Sequence, residues 1–165
     1  MLALNSSSCK KETSEGPQGA IGQTGATGAT GNANVQSYSF VAYGSDWDSI
    51  GTLGQFGCGK IYTMNIPEIT STIQDSGFVF VYMDWDSTVV QLPWTLFYPG
   101  FQKTYGAVHK IGMAQVRCYN SDMTFPVLGL YTYFRVVVGT GTPRIIAPEL
   151  NWNSYHDVSR FFHLE

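Results

Sequence analysis

At 165 residues, with a net charge of −3 and only 13% charged side chains, the chain has room for one domain with its own core. It lacks the clustered Lys and Arg that a phosphate backbone demands, which excludes a nucleic-acid partner. No apolar run approaches the roughly 20 residues that cross a bilayer as a helix.

The first segment, residues 1–15, opens with Met1-Leu2-Ala3-Leu4, then Asn5 and three serines, then Cys9-Lys10-Lys11-Glu12. Small residues before a cysteine and polar ones after it form the pattern of a bacterial lipoprotein signal, in which the thiol takes the lipid. Cys9 is therefore the expected lipid-attachment residue. Leu2, Ala3 and Leu4 are shorter than the apolar stretch of about 7 to 15 residues that a signal needs, so translation is expected to begin upstream. Lys10 to Glu15 reads as a polar spacer.

From Gly16 to Ala33 glycine stands at every third position: Gly16, Gly19, Gly22, Gly25, Gly28 and Gly31. Collagen needs that period because only hydrogen fits where three chains meet at the axis. Extended at about 3.1 Å per residue, the repeat would span roughly 55 Å. Pro17 is its only proline, so little of it is preorganised, and the two readings are a flexible tether and the stalk of a homotrimer whose head sets the register.

Beyond residue 34 the apolar period changes to two, and residues 34–165 read as a head. Gln36, Tyr38, Phe40 and Ala42 mark one face of a strand. Tyr43 to Gly59 is glycine-rich and reads as a long loop or two short irregular strands. Tyr62, Met64 and Ile66 form a strand stopped by Pro67. Glu68 to Ser76 suits a turn of helix, with Gly77 as a left-handed stop. Phe78 to Met83 is apolar throughout, the pattern of a central strand buried on both faces.

Val89–Leu92 and Trp94–Tyr98 continue in β-rich composition, with a bulge or edge at Pro93 and a turn at Pro99-Gly100. In Met113–Asn120, Ala114, Val116 and Cys118 point inward and Arg117 outward. Asn120-Ser121-Asp122 is a turn. Tyr131–Val138 sends Phe134, Val136 and Val138 inward and Arg135 outward. Ser154 three residues before Asp157 caps a helix over 155–163, with Val158, Phe161 and Phe162 on its docking side. The fold expected is all-β: an antiparallel β-sandwich, jelly-roll-like or alternatively immunoglobulin-like, with a short C-terminal helix, preceded by an extended collagen-like segment.

The chain resembles the small collagen-like surface lipoproteins of Gram-negative bacteria. The likeness rests on the Ser-Ser-Cys-Lys-Lys start, the Gly-Ala-Thr-Gly-Ala-Thr-Gly run leading into Ala-Asn-Val-Gln, the Phe-Arg-Val-Val-Val strand and the Asn-Trp-Asn-Ser-Tyr-His-Asp-Val terminal helix. It implies an all-β head on a lipid-anchored stalk at the outer membrane or cell surface, with no catalytic residues to carry over. Cys9 alone transfers, as the acyl acceptor.

Chemistry-bearing constellations are few. His109, His156 and His163 have no metal or nucleophile–base spacing, and no Gly-x-Ser-x-Gly, phosphate loop or CxxC occurs. The reading is a non-enzymatic surface protein with an adhesive or structural head and no cofactor. Its alternative is a carbohydrate-binding module, carried by two echoing tetrads, Asp46-Trp47-Asp48-Ser49 and Asp84-Trp85-Asp86-Ser87. There an indole could stack on a sugar while the carboxylates accept its hydroxyls; the favoured reading is that each Trp caps the core and each Asp makes a turn. The partners implied are a membrane through the N-terminal lipid, two further copies of the chain, and a glycan or protein ligand. With Cys9 lipidated, Cys58 and Cys118 remain as a candidate disulfide pair.

Overall fold

A computed structural model describes residues 34–143 and 147–164. The signal remnant, Cys9 and the Gly-Xaa-Yaa repeat lie outside the described residues. Alternation at period two becomes nine strands: β1 (Val35–Tyr43), β2 (Asp48–Ile50), β3 (Gly59–Asn65), β4 (Gly77–Trp85), β5 (Thr88–Gln91), β6 (Trp94–Tyr98), β7 (Phe101–Lys110), β8 (Met113–Asn120) and β9 (Tyr131–Thr140). They form two antiparallel sheets, β1-β9-β4-β5 and β2-β3-β8-β7-β6, packed as a sandwich.

The outer part of the path is that of a jelly roll, with β1, β3 and β4 alternating between the sheets and β8 and β9 doing the same. Its middle differs, because turn chemistry closes three hairpins there. Trp85 pairs with Thr88 across Asp86 and Ser87, both at positive φ. Tyr98 pairs with Phe101 across Pro99-Gly100, and Lys110 with Met113 across Ile111-Gly112. The Asp86-Ser87 loop, at positive φ in both residues, has the primed geometry that matches the twist of neighbouring strands, whereas the other two loops place glycine at their positive-φ second position, Gly100 at +91° and Gly112 at +78°. The chain changes sheets between β5 and β6, at Pro93, whose bond to Leu92 is cis.

The inner faces hold the main core. Ala42, Val81, Met83, Phe134, Val136 and Val138 from one sheet meet Met64, Tyr105, Ala114, Val116 and Cys118 from the other. Each apolar side chain so buried contributes about 1.5–3 kcal/mol against leaving it in water. Central strand β4 is apolar on both faces for a reason visible in the second core. Phe78, Tyr82 and, from β9, Val137 point away from the sandwich and are covered by Val158 and Phe162 of the C-terminal helix α2 (Tyr155–Phe162) and by Trp152. Tyr82 Oη donates 2.7 Å to the Trp152 carbonyl, satisfying the phenol beneath this layer.

The cap is as expected, with the Ser154 hydroxyl accepting from the Asp157 amide at 3.2 Å. The docking side needs one correction. Val158 and Phe162, one turn apart, face the sheet with Ser159 beside them, while Phe161 is rotated off the contact and is 49% exposed. A second correction concerns the short helix α1 (Ser71–Ser76), whose following Gly77 is extended at φ −108° rather than left-handed. Glycine is needed there for space: a Cβ would lie 2.5 Å from the Gly139 carbonyl oxygen and 2.8 Å from that of Ile73.

Candidate functional site

Both tetrads belong to the end of the sandwich where β1 finishes and β9 begins, with Tyr43 opposite Tyr131. Their tryptophans differ in exposure. Trp47 is 5% exposed and packs among Tyr62, Tyr105 and Phe134 at ring separations of 5.7, 6.5 and 6.0 Å. Neither face of that indole is open to a ligand. Trp85 ends β4, packed against the same core, and its exposed remainder helps line a cleft of about 410 Å³ with Asp84, Asp86 and Tyr131.

Of the four carboxylates, Asp46 and Asp84 are engaged locally. Asp46 accepts from the Tyr43 amide at 2.9 Å, closing the short 3₁₀ turn Gly44–Asp46 that leads into Trp47. Asp84 is ion-paired with Arg135, whose guanidinium also lies 4.9 Å from the centre of the Tyr155 ring on α2. This pair ties the hairpin end of β4 to the helix layer. Asp86 occupies a positive-φ turn position, φ 44°, where Asp is tolerated. Asp48 sits exposed on edge strand β2. The two tetrads share one end of the sandwich, the first with its indole in the core and the second with its indole at the edge of a cleft.

Cys58 and Cys118 are both buried and both free thiols. Cys118 faces inward from β8 like a small apolar residue, and burial pushes its thiol up to about 11, partly offset by a hydrogen bond with Tyr105 and by Lys103. Cys58 immediately precedes β3, with Lys60, two residues on, opposite Cys118. His109 is on β7, and His156 and His163 are at the two ends of α2, all exposed. Among the described residues no three His, Cys, Asp or Glu side chains come together as a metal site.

A larger cleft, about 550 Å³, lies elsewhere at the same end, on the outer side of the five-stranded sheet. Its floor is Gln102 and Thr104 of β7 and Tyr119 of β8. One wall is the loop Gln55–Cys58, and the other is formed by Asn120, Ser121 and Met123. Two successive turns shape the first wall, Gln55 donating to Thr52 and Cys58 to Gln55, each with glycine where φ must be positive, Gly54 at +79° and Gly57 at +87°. The walls are joined by the Gly54 amide donating 3.0 Å to Met123, and the floor is extended by reciprocal bonds of 2.8 Å between Gln102 and Ser121.

Of this cleft sequence reasoning had singled out only Cys58. Its other components come from three separate stretches of chain, around Phe56, Gln102 and Tyr119, and converge only when β3, β7 and β8 pair. A local signal exists in Gly54-Gln55-Phe56-Gly57, where an aromatic residue is set on a glycine turn, and Phe56 is indeed 100% exposed. Comparison of the chain with family models, with curated proteins and with solved structures returned no match.

Proposed function

We propose that this protein is a lipid-anchored surface protein, attached through Cys9, that displays a non-enzymatic β-sandwich head on a collagen-like stalk. The observation that carries the reading is the unbroken run of six glycine-led triplets between Gly16 and Ala33, which ends two residues before β1 begins. Collagen packing requires three chains, so the reading includes two further copies. The head offers an apolar surface for such neighbours. Val41, Tyr43, Tyr131 and Tyr133 stand on the outer face of the four-stranded sheet beyond the reach of α2, 37% to 56% exposed, with Tyr43 directly opposite Tyr131 and Val41 opposite Tyr133. Edge strand β1 carries half of this patch, so a neighbouring head would also cover the free edge of the four-stranded sheet.

The carbohydrate-binding alternative finds no support at Trp47, whose indole is core, and rests at the second tetrad on Trp85 beside Asp84 and Asp86. Light scattering of the full chain tests the oligomer. Three times 18.2 kDa supports a stalk, and monomer mass with the repeat intact reduces it to a tether. Anchoring is tested by metabolic labelling of the precursor with a lipid probe in a lipoprotein-processing host. Label on the wild type and none on Cys9→Ser supports it; equal labelling removes it.

A further inference from the structure

We infer that the cleft between the Gln55–Cys58 loop and the outer face of β7 and β8 is a binding site for a neutral carbohydrate. This goes beyond the display function and needs only one protomer, so it stands or falls separately from the stalk. Three observations point the same way.

The first is charge. The lining holds no carboxylate and no Lys, Arg or His; Asp122, between Ser121 and Met123, is outside the lining, its Oδ1 accepting from the Thr124 amide and hydroxyl. A charged ligand would leave water without a counter-charge, which is costly, so the cleft selects against acidic and basic molecules.

The second is the kind of polar group present. Gln55 and Gln102 bring amides, and Thr104 and Ser121 bring hydroxyls, all able to serve as donor and acceptor. Asn120 belongs to the inward register of β8 and its Nδ2 donates to Thr124 Oγ1 at 2.9 Å, so its side chain serves the turn at the rim. A polyhydroxylated ring offers donors and acceptors that match the four groups of the cleft.

The third is the aromatic rim. Phe56 stands fully exposed at the tip of a loop held by three backbone hydrogen bonds, and Tyr119 faces the cleft from the floor. A rigidly mounted, solvent-facing ring has no role in the core. It does offer a flat apolar face to the C–H side of a sugar, while the amides address its hydroxyls. The short turns and the tie from Gly54 to Met123 hold the walls in place before any ligand arrives, which reduces the ordering cost of binding.

The test uses the full chain and saturation-transfer NMR. The neutral probes are the methyl glycosides of glucose, galactose, mannose and N-acetylglucosamine; the charged probes are glucuronate and glucosamine; the apolar probe is benzyl alcohol. At least one neutral glycoside should bind with a dissociation constant of about 1–10 mM, the affinity of a few good contacts. Phe56→Ala and Gln102→Ala, both at exposed positions that leave the fold intact, should each weaken it about tenfold. Silence from all four glycosides, binding that either variant leaves unchanged, or preference for a charged or the apolar probe overturns the assignment.

Discussion

Replacing Trp47 by Ala separates the two readings of the tetrads. The side chain is 5% exposed and wedged between Tyr62 of one sheet, Tyr105 beside it and Phe134 of the other. A buried tryptophan removes roughly 200 Å² from water, worth about 5 kcal/mol at ~25 cal/mol per Å² as an upper value. Partial collapse of the cavity reduces the expected loss to about 3–5 kcal/mol, the range for removing a large aromatic side chain from a core. That is a large share of the roughly 5–15 kcal/mol that holds a domain folded. In urea, with a slope of about 2 kcal/mol per M, the midpoint should fall by roughly 2 M at unchanged slope. Phe56→Ala, at a fully exposed position, serves as the control and should stay within about 0.5 kcal/mol of wild type. A Trp47→Ala protein as stable as wild type would refute the core assignment and return the indole to candidacy as a ligand platform.

Glycine substitutions should split by space. Gly77→Ala drives a Cβ to 2.5 Å from the Gly139 carbonyl oxygen and should cost about 1–3 kcal/mol, whereas Gly106→Ala meets nothing within 4 Å and should be neutral or stabilise by about 0.5 kcal/mol, both read by urea midpoint. Ser154→Ala removes the acceptor for the Asp157 amide and should cost about 1 kcal/mol, with amide exchange accelerating in α2 before the sheets. Burial raises Cys118 from its usual 9.0 to about 11 and raises Tyr82 and Tyr105 as well. The folded chain then keeps protons that the unfolded chain releases, so this stabilisation is complete below about pH 9 and declines as pH rises toward 11. Urea midpoints at pH 8 and pH 10.5 should differ in that direction, and native Cys118 should resist alkylation at pH 8 until the protein is unfolded.

The sequence by itself determined what depends on neighbours along the chain. Period-two alternation located strands and their inward faces where it is regular, as at Ala114, Val116 and Cys118, but not the first half of β7, Phe101 to Gly106. Ser154 and Asp157 announced a helix start, and an apolar run without alternation marked β4 as covered on both sides. The Gly-Xaa-Yaa period is of the same local kind. Tertiary structure decided whatever depended on residues distant in the chain. Alternation says which way a side chain points, not which strand lies beside it, so the hairpin path through β4 to β8 emerged only with the pairing. The tetrads looked like a site because Asp-Trp-Asp carries the right chemistry. Whether an indole faces water is set by the rings around it, and Tyr62, Tyr105 and Phe134 close over Trp47 from three other strands. Likewise Gln102, Tyr119 and Phe56 acquire a common cleft only because sheet pairing folds loops from three parts of the chain to one end, a convergence that no local spacing encodes.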